Sequence, residues 1–416
     1  MAENLITGID LGTSNIRVVV AQEAELANEK QLNIIGVIEV PATGISKGSI
    51  VSIEDAVSSL SNALESAERM IGMPIERAWI GISGTHISSQ ESNGVIAISR
   101  TSGEIQEDDV ERVIEAARSV AAPVNYEILH VIPKSFTIDN QAGIKDPIGM
   151  SGIRLEVSTQ VIRGLSSHIK NLTKCIYRTG LDINDIILAS LAASESVISN
   201  RQKELGVALV DIGAATTNLI VFEEGDVLYT SVIPIGADHI TSDIAIGLQT
   251  SIEIAERVKL DQGSASPKEI DKNEKINLAD LGGENQEFTK KYIAEIIEAR
   301  TEEIFEKIDA ELQKINRSGL LPAGLVLVGG GAKLPGIVSV GKRKTMLPVS
   351  IGKLRTFTTA VDNVSDVSFS TALGLVLWGY QMEQETDSGK FGISNKFGTI
   401  RKQAGRIKNW FKSLIS

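Results

Sequence analysis

The sequence predicts an α/β protein of at least two packed domains, and three observations carry that expectation. The chain has 416 residues, beyond the length at which one hydrophobic core usually stops growing. Amphipathic stretches alternate with β-branched, strand-like runs. One strand–turn–strand pattern also appears twice, about 200 residues apart, as an internal duplication would leave it.

Hydrophobic residues make up 42% and charged residues 23%, with 37 glycines; this is the composition of a folded chain. The formal net charge of -12 argues against nucleic acid as a partner, because a phosphate backbone rewards clustered Lys and Arg. The single cysteine, Cys175, excludes an internal disulfide, and His86, His130, His168 and His239 are too scattered for a zinc site. His130 has no Ser or Cys nucleophile signature beside it, so it reads as a packed or hydrogen-bonded histidine. The opening MAENLITGID lacks the basic flank and long apolar run of a signal peptide. No apolar run reaches the roughly 20 residues that span a bilayer, so the cytosol is the expected compartment and any membrane contact would be peripheral.

The first copy of the repeated pattern is Leu5 to Ala21, LITGIDLGTSNIRVVVA, and the second is Val207 to Phe222, VALVDIGAATTNLIVF. Each is an apolar run ending in Asp, then a glycine turn with small polar residues, then another apolar run. Both tips are expected to face one shared ligand; the alternative is two unrelated hairpins. Asp10, Gly12, Thr13, Ser14 and Asn15 form a first candidate phosphate loop, and Asp211, Gly213, Ala214, Thr216 and Thr217 a second. Glycine admits a close phosphate, turn N–H groups and hydroxyls donate to its oxygens, and Asp10 and Asp211 would hold Mg²⁺ through water.

Between the copies, Ser52 to Met70 and Glu107 to Ala121 read as helices and Ala78 to Ile82 as a strand. After Asp243 the pattern turns helical and charged, with Ser251 to Leu260 and a long stretch from Phe288 to Ile315. In Leu321 to Ile337 a buried strand then empties into a triple-glycine turn, where Gly329, Gly330, Gly331 and Ala332 would lie against a nucleoside. Glu383 to Thr399 is polar, glycine-bearing and aperiodic, so it reads as a flexible linker.

The last segment carries its own argument. Lys390, Lys396, Arg401, Lys402, Arg406, Lys408 and Lys412 are seven basic residues between Lys390 and Ser416, without one acidic residue. On a helical projection Ile400, Ala404, Ile407, Trp410, Phe411, Leu414 and Ile415 share an arc of roughly 140°, opposite Arg401, Lys402, Arg406, Lys408 and Lys412. Such a helix lies in a membrane interface rather than across it. A surface helix packed on its own domain is the bland alternative; the linker, the terminal position and the isolated positive charge favour an anionic membrane surface.

The ordered set GIDLGTSN, LASLAASESV, DIGAATTN, VGGGAKLPG and STALGLVL resembles the phosphate 1, connect 1, phosphate 2, adenosine and connect 2 motifs of the actin, sugar-kinase and heat-shock chaperone superfamily. Within it, the stretch Ile80 to Gly164 and the run GADHITSDIAIGLQTSIEIAERVKL resemble the FtsA family of division proteins. The resemblance implies an actin-like ATPase fold, two RNase H-like α/β domains around a cleft holding ATP and Mg²⁺. It assigns 1–82 and 165–205 to domain I, with a return near 360–382, and 83–164 to an inserted subdomain 1C. Residues 206–359 become domain II, including helical subdomain 2B at about 241–318, followed by a linker at 383–399 and an amphipathic helix at 400–416.

The same resemblance places Glu256 and Lys259 at the adenosine end of ATP, against the plainer reading of a solvated helix face. It implies that 2B receives the C-terminal peptide of the tubulin-like FtsZ through Arg300, supported by Lys290 and Lys291, although pairing of Arg300 with Glu303 competes. The family self-associates into filaments, recruits other division proteins and works at the cytoplasmic face of the membrane at the division site. Two departures stand out: Ala214 and Ala215 replace the usual glycines of phosphate 2, and Ala189 stands where relatives carry a residue that orients water. ATP binding with at most weak hydrolysis is therefore expected. A PilM-like ATPase of type IV pilus assembly is the main rival; a sugar kinase or a chaperone lacks its substrate-binding signature here.

Overall fold

The computed structural model describes residues 5–26, 29–120, 123–355, 358–359 and 365–388. Two sheets form its frame. In the first, the strand Leu5–Leu11 is central, pairing antiparallel with Asn15–Leu26 and parallel with Arg77–Ile82. Glu29–Pro41 extends the antiparallel side and Asp182–Leu188 the parallel side. In the second sheet, Val207–Ile212 is central, antiparallel to Thr217–Glu223 and parallel to Gly324–Val328, with Asp226–Ile233 and Val349–Ile351 outside. Leaving aside the insert and the two-residue strands, both sheets run third, second, first, fourth, fifth in chain order. The sequence repeat is thus a repeat of architecture.

The central strands are apolar almost throughout, LITGIDL and VALVDI, because helices cover both faces of such sheets. Ile6, Ile9, Val18 and Ile80 are buried in the first core, and Ala208, Val210, Leu325 and Phe305 in the second. The helix Ile53–Ile71 begins where the Ser52 side chain accepts from the Asp55 N–H and ends at Gly72 in the left-handed region, φ 74°. Against the first sheet lies the helix Ser370–Ser388, which crosses the helix Ala189–Val197 at close range. A Cβ on Gly374 would stand 1.8 Å from the Ala192 carbonyl oxygen, so only a glycine lets these two helices approach that far.

The insert leaves the first sheet after Ile82. Its four antiparallel strands lie in the order Ile87–Ala97, Arg154–Leu165, Tyr126–Ile138, Gln141–Ile144, and the helix Glu107–Val120 packs across them. The chain returns through the helix Ser166–Arg178.

Two expectations need correction. The stretch read as helical from Phe288 begins as a short strand, Glu287–Thr289, paired with Lys275–Asn277. The helix starts at Lys290 because the Thr289 hydroxyl accepts from the Tyr292 N–H and fixes its first turn. The linker expected from Glu383 is not what Glu383–Ser388 form, because the helix Ser370–Ser388 continues through them. Nothing in EQETDS breaks a helix. Residues 389–416, with Ile400, Arg401, Arg406, Ile407, Lys408, Trp410, Phe411, Lys412, Leu414 and Ile415, lie outside the described residues. The chain rejoins the edge of the first sheet at Thr358–Thr359, paired with Asn33 and Ile34.

Candidate nucleotide-binding cleft

The two hairpin tips open on one cleft of about 430 Å³, within the range of small-molecule sites. Asp10, Gly12, Thr13, Ser14 and Asn15 line one wall; Asp211, Gly213, Ala214 and Thr216 line the other. Gly329, Gly330 and Gly331 close one side, and Glu256 and Lys259 lie at the end formed with Ile240, Leu260, Leu334 and Pro335. Two predicted residues do not belong to this lining. Thr217 points into the core, where its hydroxyl donates to the Ile235 carbonyl at 2.8 Å, because strand alternation turns it away from the face shared by Thr216 and Asn218. Ala332 is buried beneath the glycine turn, 2% exposed.

The tips share one geometry. The Gly12 N–H donates to the Asn15 carbonyl at 3.1 Å, and the Gly213 N–H donates to the Thr216 carbonyl at 2.9 Å. A Cβ on Gly12 would stand 2.6 Å from the Asn15 oxygen. Neither Ala214 nor Ala215 has a positive φ, so replacing glycine there costs no backbone strain. Gly329 sits at φ 84°, and a Cβ there would meet Asp211 Oδ1 at 2.3 Å, whereas a Cβ on Gly330 would meet nothing within 4 Å.

Asp10 and Asp211 are half-buried in the cleft wall, and their withdrawal from water raises both carboxyls; Asp10 is pushed up to about 7, with Arg17 opposing and Asp211 adding to the rise. Asn218 opposes the rise at Asp211 through its Nδ2, 3.2 Å from Asp211 Oδ2. Register explains these companions: Asp10 stands opposite Arg17 across the first hairpin, and Asp211 opposite Asn218 across the second. Arg17 pairs with Glu39 at 2.7 Å and lies over the Phe369 ring. Its Nε and Asn218 Oδ1 are buried with no hydrogen-bond partner among the described residues. Two carboxylates that burial disfavours as anions fit a divalent cation, and the unpartnered guanidinium donor with the turn amides fits phosphate oxygens. The donor set therefore suits a magnesium–nucleotide.

At the far end Glu256 and Lys259 pair at 2.6 Å, and Thr241 joins them, its hydroxyl 2.5 Å from Glu256 Oε2 and 2.8 Å from Lys259 Nζ. They are anchored to the helix Ala237–Leu248 and do not form a free solvated face. Burial raises the neighbouring Asp238 carboxyl. Ala189 also lines the cleft and offers no group that holds a water.

Arg17, Glu39, Asn218, Asp238, Lys333, Ser368 and Thr371 line the cleft and escaped the sequence reading. A signal existed for two of them: Arg17 follows Asp10, and Asn218 follows Asp211, at the same spacing in the repeat.

The basic residues assigned to peptide recognition are all engaged. Arg300 grips Asp243 with contacts of 2.5 and 2.8 Å and also pairs with Glu303. Lys290 pairs with Glu274 at 2.6 Å, and Lys291 lies 3.9 Å from Glu295. Lys290 and Arg300 stand on one helix, roughly 15 Å apart along its axis, so only an extended partner would reach both. Arg300 also lines a second hollow with Ile233, Pro234, Glu303, Lys307 and Lys314. His130 is half-buried, and its Nε2 accepts from the Leu188 N–H at 3.0 Å. Among the described residues no helix is long and apolar enough to cross a membrane.

Comparison with known proteins matches residues 208–374 to the family described as "Cell division protein FtsA" and residues 84–163 to "SHS2 domain inserted in FTSA". The chain is 38% identical to the cell division protein FtsA of Pseudomonas aeruginosa over 411 residues, covering 98% of this chain and 97% of that one. It is 42% identical to that of Bacillus subtilis over 373 residues, covering 89% and 82%. Among solved structures, the fold is similar to a chain of the PilM-PilN type IV pilus biogenesis complex, with a TM-score of 0.64 at 15% identity, covering 90% of this chain and 98% of that one. MreB5 of Spiroplasma citri bound to ADP is similar with a TM-score of 0.54 at 14% identity, covering 93% and 99%.

Proposed function

The chain belongs to the FtsA family of cell division proteins and has an actin-like fold; from that premise we propose that it binds Mg²⁺–ATP and anchors FtsZ filaments to the inner face of the cytoplasmic membrane. In this reading it self-associates into filaments and recruits other division proteins. The observation that carries the reading is 38% identity to an FtsA protein across 98% of the chain. The likeness to the PilM chain, at 15% identity, concerns the fold alone, and no feature of the cleft favours a pilus role.

Asp10 and Asp211 hold the cation through water, and Arg17 with the amides of the two tips takes the phosphates. Mg²⁺, when bound, would supply the positive charge that keeps both carboxyls ionised. Glu256 and Lys259, fixed by Thr241, shape the nucleoside end. With Ala189 in the cleft wall, water is not held for attack, which supports stable binding over turnover.

The tether is assigned to 400–416. Its apolar face, centred on Trp410 and Phe411, enters the interface, and each nearby Lys or Arg contributes about 1 kcal/mol against anionic lipid. Many weak anchors on one filament then act together. Deleting Ile400–Ser416 should abolish pelleting with anionic liposomes while leaving Mg²⁺–ATP affinity within about twofold of the full chain. Undiminished pelleting would refute the tether. FtsZ's C-terminal peptide is assigned to Arg300, Lys290 and Lys291, whose present carboxylate partners an acidic peptide would replace.

A further inference from the structure

The neck of the insert forms part of the cleft wall. Ser83, where the chain leaves the first sheet, lines the cleft together with Gly48. Gly48 is the tip of a two-residue turn between the strands Ile45–Ser46 and Ser49–Ile50, with Lys47 at φ 48° and Gly48 at φ 74°, the backbone of a tight hairpin. A Cβ on Gly48 would stand 2.4 Å from the Ser83 carbonyl oxygen and 2.6 Å from Gly84 Cα, so the hairpin tip lies directly against the neck. The next residue, Ser49, reaches both chain passes of that neck. Its Oγ is 3.4 Å from Nδ1 of His86, on the outgoing chain, and 3.0 Å from Nδ1 of His168, on the returning chain.

The two imidazoles stack, with centroids 4.5 Å apart and planes 10° from parallel. One hydroxyl proton cannot be donated to both rings, so at least one imidazole donates its Nδ1–H to Ser49. His86 Nε2 is buried and has no hydrogen-bond partner among the described residues. Burial first, then the neighbouring His168, holds His86 down at about 4, so the stack is not a pair of cations. The neck is thus closely packed yet one polar atom short of satisfaction, and a small rotation that gives Nε2 a partner has something to gain.

The far side of the insert rests on the other domain. Ser89 Oγ donates to the Thr230 carbonyl at 2.8 Å, Lys145 pairs with Asp226, and Lys145 Nζ donates to the Glu224 carbonyl at 3.2 Å. All three acceptors lie at or beside the edge strand Asp226–Ile233. The insert therefore touches both domains, continuing from the first through its neck beside the cleft and resting on the second through these outer contacts, so a shift of one domain against the other would turn it about its neck or break those contacts.

We propose that Ser49 and the stacked His86–His168 pair form a joint through which the occupied cleft sets the orientation of the inserted domain. This rests on the nucleotide-binding reading above. Hydrogen exchange of the full chain, with and without Mg²⁺–ATP, is compared for native protein, Ser49→Ala and His168→Ala, with affinity measured in parallel. Native protein should show a nucleotide-dependent change of several-fold at 84–90, 160–168 and around Lys145. Both variants should bind Mg²⁺–ATP within about twofold of native and lose more than half of that change. Ser49→Ala removes only one partly exposed hydroxyl, so it keeps the test alive if His168→Ala does not fold. Native-like affinity with the full change retained would overturn the joint. Lost affinity in Ser49→Ala would overturn it too, making Ser49 part of the ligand wall. A native protein that does not bind Mg²⁺–ATP would overturn the cleft reading and the joint together.

Discussion

Two carboxyls decide the chemistry of the cleft. Asp10 and Asp211 sit at equivalent hairpin positions, and burial raises both, so a bound cation repays more here than at exposed sites. Asp10→Ala and Asp211→Ala should each weaken Mg²⁺–ATP binding at least tenfold by calorimetry, and unchanged affinity in both would contradict the assignment. Their hairpin partners Arg17 and Asn218 went unread despite their equal spacing in the repeat, because a polar residue inside an apolar run reads from sequence as an outward strand position; pairing across the turn is what brings it beside the aspartate.

Two histidines withdrawn from water, His86 and His130, give a pH signature. Burial holds His130 down at about 4, and burial with His168 holds His86 there, while the unfolded chain takes these protons near the ordinary 6.5. The unfolded state thus binds more protons between those values. Stability from these groups is full above about 6.5 and is lost as pH falls toward 4. Asp10 acts in the opposite sense, keeping its proton up to about 7 when folded. The histidine contribution is therefore read as a difference: melting temperatures of native protein and His130→Gln should converge as pH drops from 7 to 4.5.

At the level of elements, one close contact is between helices. Gly374 lets Ser370–Ser388 lie on Ala192, and Gly374→Val forces the pair apart, at about 1–3 kcal/mol or more. A lower urea midpoint checks this; a native midpoint would show the crossing to be compliant. The motif STALGLVL made that helix legible. Its extension through Glu383–Ser388 was not, because a polar, weakly periodic helix end looks like a linker when no core contact enforces its period. The start of the helix at Lys290 was likewise misplaced by a cap, Thr289, that acts within one turn.

For the whole molecule, the repeat of Asp, glycine turn and apolar strand announced two like halves, and the matching strand orders of the two sheets, whose hairpin tips open on one cleft, are its structural form. What sequence could not supply was the way the halves are bridged, since Lys145 and Asp226 are far apart in the chain and carry no mutual pattern. The same bridging puts the insert in contact with both domains. The basic, amphipathic segment at 400–416 remains the sequence's own argument for a membrane partner. The most direct test of the account is co-sedimentation of FtsZ with anionic liposomes. With Mg²⁺–ATP and the full chain, FtsZ should pellet, and it should stay in solution when either residues 400–416 or the FtsZ C-terminal peptide is removed. FtsZ that pellets equally in all three cases, or in none, would contradict it.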